Sequence, residues 1–112
     1  MNTEQTVLVV DDDAVTRMMV RRVLQEAGYE VVEAENGQQA VEICTTQPPA
    51  MVLLDVRMPV MNGFDACRSL RRLPRCANVP VVMLTALDDV LAVTLAFEAG
   101  ATDFITKPIN WV

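Results

Sequence analysis

The sequence contains no histidine and only three cysteines, Cys44, Cys67 and Cys76. The cysteines form no C-x-x-C pair, and an odd number of thiols cannot all be joined in disulfides. These absences argue against a zinc site and against a disulfide framework. We therefore expect three buried thiols without a redox role.

Basic residues are scarce as well. Nine lysines and arginines face fifteen acidic residues, so the net charge is −6. This charge argues against nucleic acid or an anionic membrane as a direct partner. Eight of the nine basic residues are arginines, and Lys107 is the single lysine. That exception is either compositional chance or a position that requires a compact ammonium group.

Long hydrophobic segments are also missing. No apolar run approaches the ~18 residues of a membrane span, and the N-terminal MNTEQT lacks the basic and apolar regions of a signal peptide. The 112 residues, 52% of them hydrophobic, are enough for one packed domain. We therefore predict a single cytoplasmic domain over residues 1–112.

Short apolar runs alternate with helical patterns along the whole chain. Five runs read as strands, and three of them are continuously apolar, as in a parallel sheet covered on both faces. The predicted strands are 6–10, 30–34, 51–55, 80–85 and 103–106, and the predicted helices are 14–27, 37–46, 64–73 and 87–98. This alternation predicts a doubly wound α/β sandwich of three layers.

Local signals refine the helices. Asp13 is placed to cap the first helix, and Gly28 and Gly100 end the first and the last. In the first helix an apolar series recurs every four residues: Val15, Met19, Val23 and Ala27. The last helix carries two apolar stripes, Val90/Val93/Phe97 and Leu91/Leu95, of which only one can pack on the sheet. The arginines of the third helix region, 68, 71, 72 and 75, are expected to form a solvated face.

The unusual polar residues fall at the carboxyl ends of predicted strands. Asp11 and Asp12 follow the first strand, Asp55 ends the third, Thr85 ends the fourth, and Lys107 follows the fifth. In open parallel sheets this edge binds ligands. Two carboxylates ~4 Å apart repel by about 4 kcal/mol at an effective dielectric of 20, so clustered acids either raise each other's pKa or require a cation. Mg²⁺ suits a few carboxylates, water and a phosphoryl oxygen.

Four motifs in order resemble those of receiver domains from two-component response regulators. They are VVDD (9–12), LLDVRMPVMNGF (53–64), VVMLTA (81–86) and GATDFITKP (100–108). The resemblance implies a flavodoxin-like fold with strand order 2-1-3-4-5, an order for which chemotaxis receivers are a standard example. It also implies a phosphoacceptor signalling switch that is not an enzyme toward other substrates.

The resemblance assigns roles residue by residue. Asp55 becomes the phosphoryl acceptor, which takes its phosphoryl group from a histidine kinase or a phosphotransfer protein. Asp11, Asp12 and Asp55, with the backbone carbonyl of Arg57, become the ligands of Mg²⁺ or Mn²⁺. Asp13 is expected to remain a helix cap rather than a further metal ligand.

Further positions match the switch of the family. Lys107 and Thr85 are expected to bind phosphoryl oxygens, and Phe104 matches the aromatic switch. Arg57 and Leu87 occupy the positions that tune hydrolysis of the acyl phosphate, which predicts slow dephosphorylation. The Lys107–Pro108 peptide is expected to be cis.

The end of the sequence carries three more expectations. Receivers usually have a fifth helix after the KP segment, but this sequence stops at INWV, so that helix is expected to be missing or truncated. Apolar surface would then remain around strands one and five, which predicts self-association. The ending also resembles receivers that precede diguanylate cyclase output domains, so we expect a longer parent regulator.

Three alternative classes fit the sequence less well. A haloacid-type aspartyl-phosphate phosphatase needs a second aspartate two residues after the nucleophile, where this chain has Arg57. A flavodoxin needs a Ser/Thr-rich phosphate loop after the first strand, where three aspartates would repel the flavin phosphate. A contact-only pseudo-receiver has no support, because all the matched site residues are present.

Overall fold

One parallel sheet forms the centre of the protein. A computed structural model describes residues 5–86 and 90–107, with the backbone alone at positions 85, 86, 90 and 107. The strands are Thr6–Val10 (β1), Glu30–Ala34 (β2), Met51–Asp55 (β3), Val81–Ala86 (β4) and Asp103–Lys107 (β5). The helices are Ala14–Glu26 (α1), Gly37–Thr46 (α2), Gly63–Arg72 (α3) and Val90–Glu98 (α4), with a short 3₁₀ helix at Pro74–Cys76.

The predicted topology is confirmed. All paired strands are parallel, and their order is β2-β1-β3-β4-β5. Helices α2, α3 and α4 contribute buried residues to the larger core cluster on one face of the sheet, and α1 packs through Val20 on the other. The protein is therefore the three-layer sandwich that the sequence predicts. The expectation about a fifth helix concerns residues 108–112, which lie outside the described part.

Local capping explains where the helices begin and end. The Asp13 side chain accepts a hydrogen bond from the backbone N–H of Val15 at 3.1 Å, as an N-cap does. Asn36 and Asn62 cap α2 and α3 in the same way. Gly28 and Gly100 follow α1 and α4 with φ of 97° and 102°, a left-handed conformation that a side chain would strain.

The buried face of α1 differs from the apolar series in the sequence. Val20 is fully buried and Leu24 packs beside it, whereas Val15, Met19 and Val23 are 59%, 50% and 37% exposed. The series at four-residue spacing therefore marks an exposed apolar surface of α1. The sheet is covered instead by the neighbouring positions.

Neither predicted stripe of α4 is the one that packs. Small residues face the core, because Ala92, Ala96 and Ala99 are all buried. Leu91 and Phe97, one from each predicted stripe, are 68% and 47% exposed.

Two other expectations need correction. Strand β1 is buried along its whole length, so the prediction of an apolar surface around it is wrong, although Ile105 on β5 is 40% exposed. Arg71 is not part of a solvated face. Its guanidinium donates to the carbonyls of Gly100 at 2.9 Å and Val79 at 2.6 Å, and so ties α3 to the loop before β5.

The three cysteines are free and buried, as expected. Burial raises the pKa of the Cys44 thiol to about 12, and it also raises the pKa values of Cys67 and Cys76. Such thiols stay protonated and react slowly. Among the helices of the described residues, none has the length and apolar character to cross a bilayer.

Candidate functional site

The parallel register brings two predicted site residues to the same edge of the sheet. Val10, the last residue of β1, pairs with Leu54 of β3. Asp11 directly follows Val10 and Asp55 directly follows Leu54, so the two aspartates are neighbours at the carboxyl ends of adjacent strands. The sequence pattern predicted that both lie at the carboxyl edge of the sheet, and the resemblance to receiver domains implied that their strands are adjacent.

Three carboxylates meet at this edge. One oxygen each from Asp11, Asp12 and Asp55 lies within 4.8 Å of the others. Asp11 and Asp55 are buried, at 1% and 6% exposure, and Asp12 is exposed. At this separation each ionised pair repels by about 3–4 kcal/mol if the effective dielectric is about 20. We refer to these three residues as the acid cluster.

The acid cluster fits a hard divalent cation. Its donors are all oxygens, no thiol or imidazole takes part, and its spacing allows one ion to contact several of them. Mg²⁺ prefers such carboxylate oxygens together with water and phosphoryl oxygens. Because Asp12 is exposed while Asp11 and Asp55 are buried, the acid cluster is open on one side. A further oxygen ligand can approach a bound ion from that side.

Asp13, the third aspartate in sequence, stands apart from the acid cluster. Its carboxylate caps α1 and also accepts a hydrogen bond from the Thr16 hydroxyl at 2.7 Å. Its backbone N–H donates to Oδ1 of Asp11 at 2.9 Å. Asp13 therefore orients Asp11 through its backbone, and its side chain serves as the helix cap that the sequence predicts.

A glycine fixes the backbone at Asp55. The N–H of Gly63 donates to the carbonyl of Val56 at 2.9 Å, which holds the first turn of α3 against the end of β3. A Cβ at position 63 would lie 2.3 Å from the carbonyl oxygen of Asp55. Only glycine allows this approach, and the approach determines where the Asp55 carboxylate sits.

Comparison with known proteins identifies the family of this chain. The sequence model described as "Response regulator receiver domain" matches residues 7–111. The chain belongs to the response regulator receiver domain family. It is 40% identical over 106 residues to the phosphate regulon transcriptional regulatory protein PhoB of Pseudomonas aeruginosa, a match that covers 95% of this chain and 46% of that protein. The receiver thus spans about half the length of the curated relatives it matches.

Solved structures show the same likeness. A response regulator from Chloroflexus aurantiacus superposes with a TM-score of 0.91 at 38% identity, covering 95% of this chain and 87% of that one. The receiver domain of the sensor histidine kinase PA1611 from Pseudomonas aeruginosa superposes with a TM-score of 0.87 at 31% identity, with coverage of 95% and 87%. That structure has a magnesium ion coordinated in its active-site cleft.

The remaining predicted site residues of the receiver lie on β4 and β5. Leu84 pairs with Asp55, so Thr85 is one residue further toward the edge, and Ala86 pairs with Lys107. Their backbones therefore reach the same edge as the acid cluster. The side chains of Thr85 and Lys107 are outside the described part of the receiver, as are Leu87 and the Lys107–Pro108 peptide.

Phe104 is partly buried, as the predicted aromatic switch requires. Its ring meets that of Phe97 edge to face, with centroids 5.6 Å apart and an interplanar angle of 82°. The contact joins β5 to α4, the two elements that bear the exposed residues Ile105 and Leu91. A movement of Phe104 would therefore change the surface between these elements.

Arg57 is exposed and lines a cleft next to the acid cluster. The cleft has a volume of about 530 Å³ and is bordered by the β3–α3 loop and α4. Its lining residues are Asp12, Val56, Arg57, Met58, Pro59, Asn62, Phe64, Leu91, Ala92 and Leu95. Asp12 is thus shared between the acid cluster and a mostly apolar opening.

Sequence reasoning missed two residues that shape the site. Gly63 belongs to the 53–64 motif, but the sequence does not reveal that its lack of a side chain permits the close approach to the backbone of Asp55. Arg17 was not among the predicted site residues, but it donates to the carbonyl of Asp11 at 2.6 Å. The signal for Arg17 is weak in sequence: an arginine one helical turn after an acid pair.

Proposed function

We propose that this receiver is a phosphorylation-controlled switch in which Asp55 accepts a phosphoryl group in the presence of Mg²⁺. Asp11 and Asp12, with Asp55 and the backbone carbonyl of Arg57, would hold the ion. Mn²⁺ would serve by the same chemistry, since it accepts the same oxygen ligands. Beyond its own phosphorylation and dephosphorylation, the domain catalyses nothing.

One observation carries the proposal: three carboxylate oxygens of the acid cluster lie within 4.8 Å of one another, at the ligand-binding edge of the sheet. Stability alone does not account for such a cluster, because its mutual repulsion is unfavourable. A cation that also binds a phosphoryl group would neutralise the repulsion and bring the donor to Asp55. The membership of the chain in the receiver family points the same way.

The transfer itself is a displacement at phosphorus. A carboxylate oxygen of Asp55 forms the new O–P bond while the P–N bond to the donor imidazole breaks, and the imidazole leaves with the electron pair and takes up a proton. A bound Mg²⁺ supplies positive charge that offsets the charge on the phosphoryl oxygens. The receiver contributes the fixed position of Asp55, which Gly63 and the end of β3 define.

The switch follows from the added charge. Lys107 neutralises one phosphoryl oxygen and Thr85 donates a hydrogen bond to another. Thr85 acts from the end of β4, which is adjacent to the Asp55 strand β3, and Lys107 acts from the end of β5, one strand further away. Phe104 follows Thr85 and changes its contact with Phe97. The phosphate binds one of two conformations better and so shifts the population toward it.

The receiver would have two kinds of partner, a phosphoryl donor and an output that responds to phosphorylation. The donor would be a histidine kinase or a phosphotransfer protein, and the exposed apolar side chains Val15, Met18 and Met19 of α1 offer it a surface beside the acid cluster. The output would respond to the α4–β5 face, where Leu91 and Ile105 are exposed. Self-association through this face remains a prediction.

The output is the least constrained element. The resemblance of the INW motif (109–111) to receivers ahead of diguanylate cyclases favours that output, whereas a relative such as MtrA of Mycolicibacterium paratuberculosis is named a DNA-binding response regulator. With a net charge of −6 the receiver itself is an unfavourable ligand for DNA. A separate output part of a longer, cytoplasmic regulator would carry either function.

Intact mass after incubation with acetyl phosphate and Mg²⁺ tests the acceptor. We expect an adduct of one phosphoryl group, about 80 Da, on the wild type and none on Asp55→Asn. Asp13→Asn is the matched control, because asparagine also caps a helix and Asp13 is outside the acid cluster. An adduct on Asp55→Asn, or none on the wild type, would refute the proposal.

Slow hydrolysis of the acyl phosphate is a separate hypothesis. The leucine at position 87 cannot orient an attacking water, and the exposed Arg57 beside the cleft shields the phosphoryl group. A glutamate at position 87 should accelerate hydrolysis. A wild-type lifetime of seconds with Mg²⁺ that Leu87→Glu leaves unchanged would contradict this.

A further inference from the structure

Arg17 connects the backbone of the acid cluster to strand β2. Its side chain is only 12% exposed although it lies on α1 near the protein surface. One guanidinium nitrogen donates to the backbone carbonyl of Asp11 at 2.6 Å, and Nε donates to a carboxylate oxygen of Glu33 on β2 at 3.2 Å. A single planar group therefore bridges the loop after β1, helix α1 and strand β2.

The carbonyl that Arg17 binds has a special place. It belongs to the peptide unit between Asp11 and Asp12, and this unit is planar. Its orientation fixes ψ of Asp11 and φ of Asp12 together, and so determines the directions of two side chains of the acid cluster. On the other side, the N–H of Asp11 donates to the carbonyl of Ala34 at 3.2 Å. Asp11 is thereby held from both of its peptide bonds.

The charge of Arg17 is partly compensated, because Glu33 is shared by Arg17 and Arg21 and the three groups keep a net charge of +1. Glu33 accepts from Arg17 through one carboxylate oxygen and from Arg21 through the other. A cation in the acid cluster would therefore meet a hydrogen-bonded ion pair behind Asp11 rather than an isolated guanidinium. This arrangement favours a geometric role for Arg17 over a purely electrostatic one, because its charge is shared with an acid.

We infer that Arg17 is a positioning residue for the metal site: it sets the peptide between Asp11 and Asp12 so that both carboxylates point at one ion. The inference rests on the proposed function. Partners of metal ligands change affinity about 10- to 100-fold when they are removed. Since Arg17 acts through a backbone carbonyl rather than directly on a ligand atom, we expect the lower end of that range.

Calorimetric titration of the 112-residue protein with MgCl₂ tests the inference. Arg17→Ala should raise the Kd about 10-fold, whereas Arg22→Ala, which removes the same charge from an exposed position of α1, should leave it unchanged. Arg17→Lys keeps the charge but cannot span both acceptors with a planar fork, so its Kd should also rise. Urea unfolding without Mg²⁺ reports the stability of each variant separately.

The outcomes distinguish the possible roles. Lower stability of Arg17→Ala with an unchanged Kd would make Arg17 merely structural and overturn the inference. A wild-type Kd for Arg17→Lys would show that charge alone matters and would also overturn it. If Arg17→Ala does not fold, Arg17→Lys decides in the same way. A wild type that binds no Mg²⁺ would instead refute the proposed function itself.

Discussion

Gly63 offers the sharpest test of how the backbone positions the acceptor. In Gly63→Ala the new Cβ would lie 2.3 Å from the carbonyl oxygen of Asp55 and 2.9 Å from Cα of Val56. Non-bonded carbon contacts are comfortable at about 3.5 Å. The first turn of α3 and the end of β3 must therefore separate by about 1 Å, and both are backbone, so no side-chain rotation relieves the contact.

Two effects follow from this displacement. Overpacking costs about 1–3 kcal/mol, and the reduced entropy of the unfolded chain offsets about 0.4–1 kcal/mol of it. We expect a net loss of about 1–2 kcal/mol in the free energy of unfolding. A 1 Å displacement at a reacting group lowers the rate by about 100-fold, so phosphorylation of Asp55 by acetyl phosphate should slow by about that factor.

The assay pairs urea unfolding with the rate of phosphorylation by intact mass, at a temperature where all variants are folded. Gly28→Ala is the control. It places a side chain at a φ of 97°, where no atom lies within 4 Å, so it should lose stability without slowing phosphorylation. A Gly63→Ala rate within about threefold of the wild type would refute the reasoning, because a displacement of 1 Å should cost far more.

Three further predictions concern stability. Val60 has a φ of 70° and is 77% exposed, so its backbone is strained and its side chain packs little. Val60→Gly should raise the free energy of unfolding by about 1 kcal/mol in urea titrations. No gain would mean that the backbone at this position is unstrained. Arg71→Ala should lower the free energy of unfolding by about 2–3 kcal/mol, because Arg71 bonds the carbonyls of Gly100 and Val79. Arg72→Ala, at an exposed position, should lower it hardly at all, and equal losses would contradict the role of Arg71 as a bridge. Burial raises the pKa of Cys44 from 9.0 to about 12, so the free energy of unfolding should fall as the pH rises between these values. Urea unfolding at several pH values measures this fall, and Cys44→Ala should make it smaller.

The strands could be predicted because they are short and bounded by polar residues, and three of them are continuously apolar. Burial on both faces of a parallel sheet leaves continuous runs such as VLVV, which the sequence displays directly. The same pattern places Asp11 and Asp55 at the carboxyl edge of the sheet. The order of the strands, which makes these two aspartates neighbours, was implied only by the resemblance to receiver domains.

Helix faces were harder to predict, because large apolar residues dominate a periodicity reading. In α4 the buried residues are Ala92 and Ala96, whereas the exposed Leu91 gives the stronger sequence signal. In α1 the exposed apolar series is consistent with a partner surface. A surface kept apolar for a partner and a surface packed on the core look alike in sequence.

Long-range polar contacts could not be predicted at all. Arg71 donates a hydrogen bond to the carbonyl of Gly100, 29 residues away, and no local sequence pattern around either residue predicts this contact. Arg17 reaches Glu33 over 16 residues in the same way. Both arginines satisfy backbone or carboxylate oxygens at loop ends, where their partners are defined only once the sheet has formed.

The acid cluster itself is a place where local preference and the fold disagree. Left to repulsion, the carboxylates of Asp11 and Asp55 would separate, yet one is fixed through its peptide bonds and the other through the close approach of Gly63. Relaxation is blocked by backbone, the least deformable part of the structure. Because the backbone holds these carboxylates close together, a bound cation relieves their repulsion, and this relief adds to the affinity of the site for the cation. Loosening either constraint should therefore weaken Mg²⁺ binding even when every carboxylate is retained.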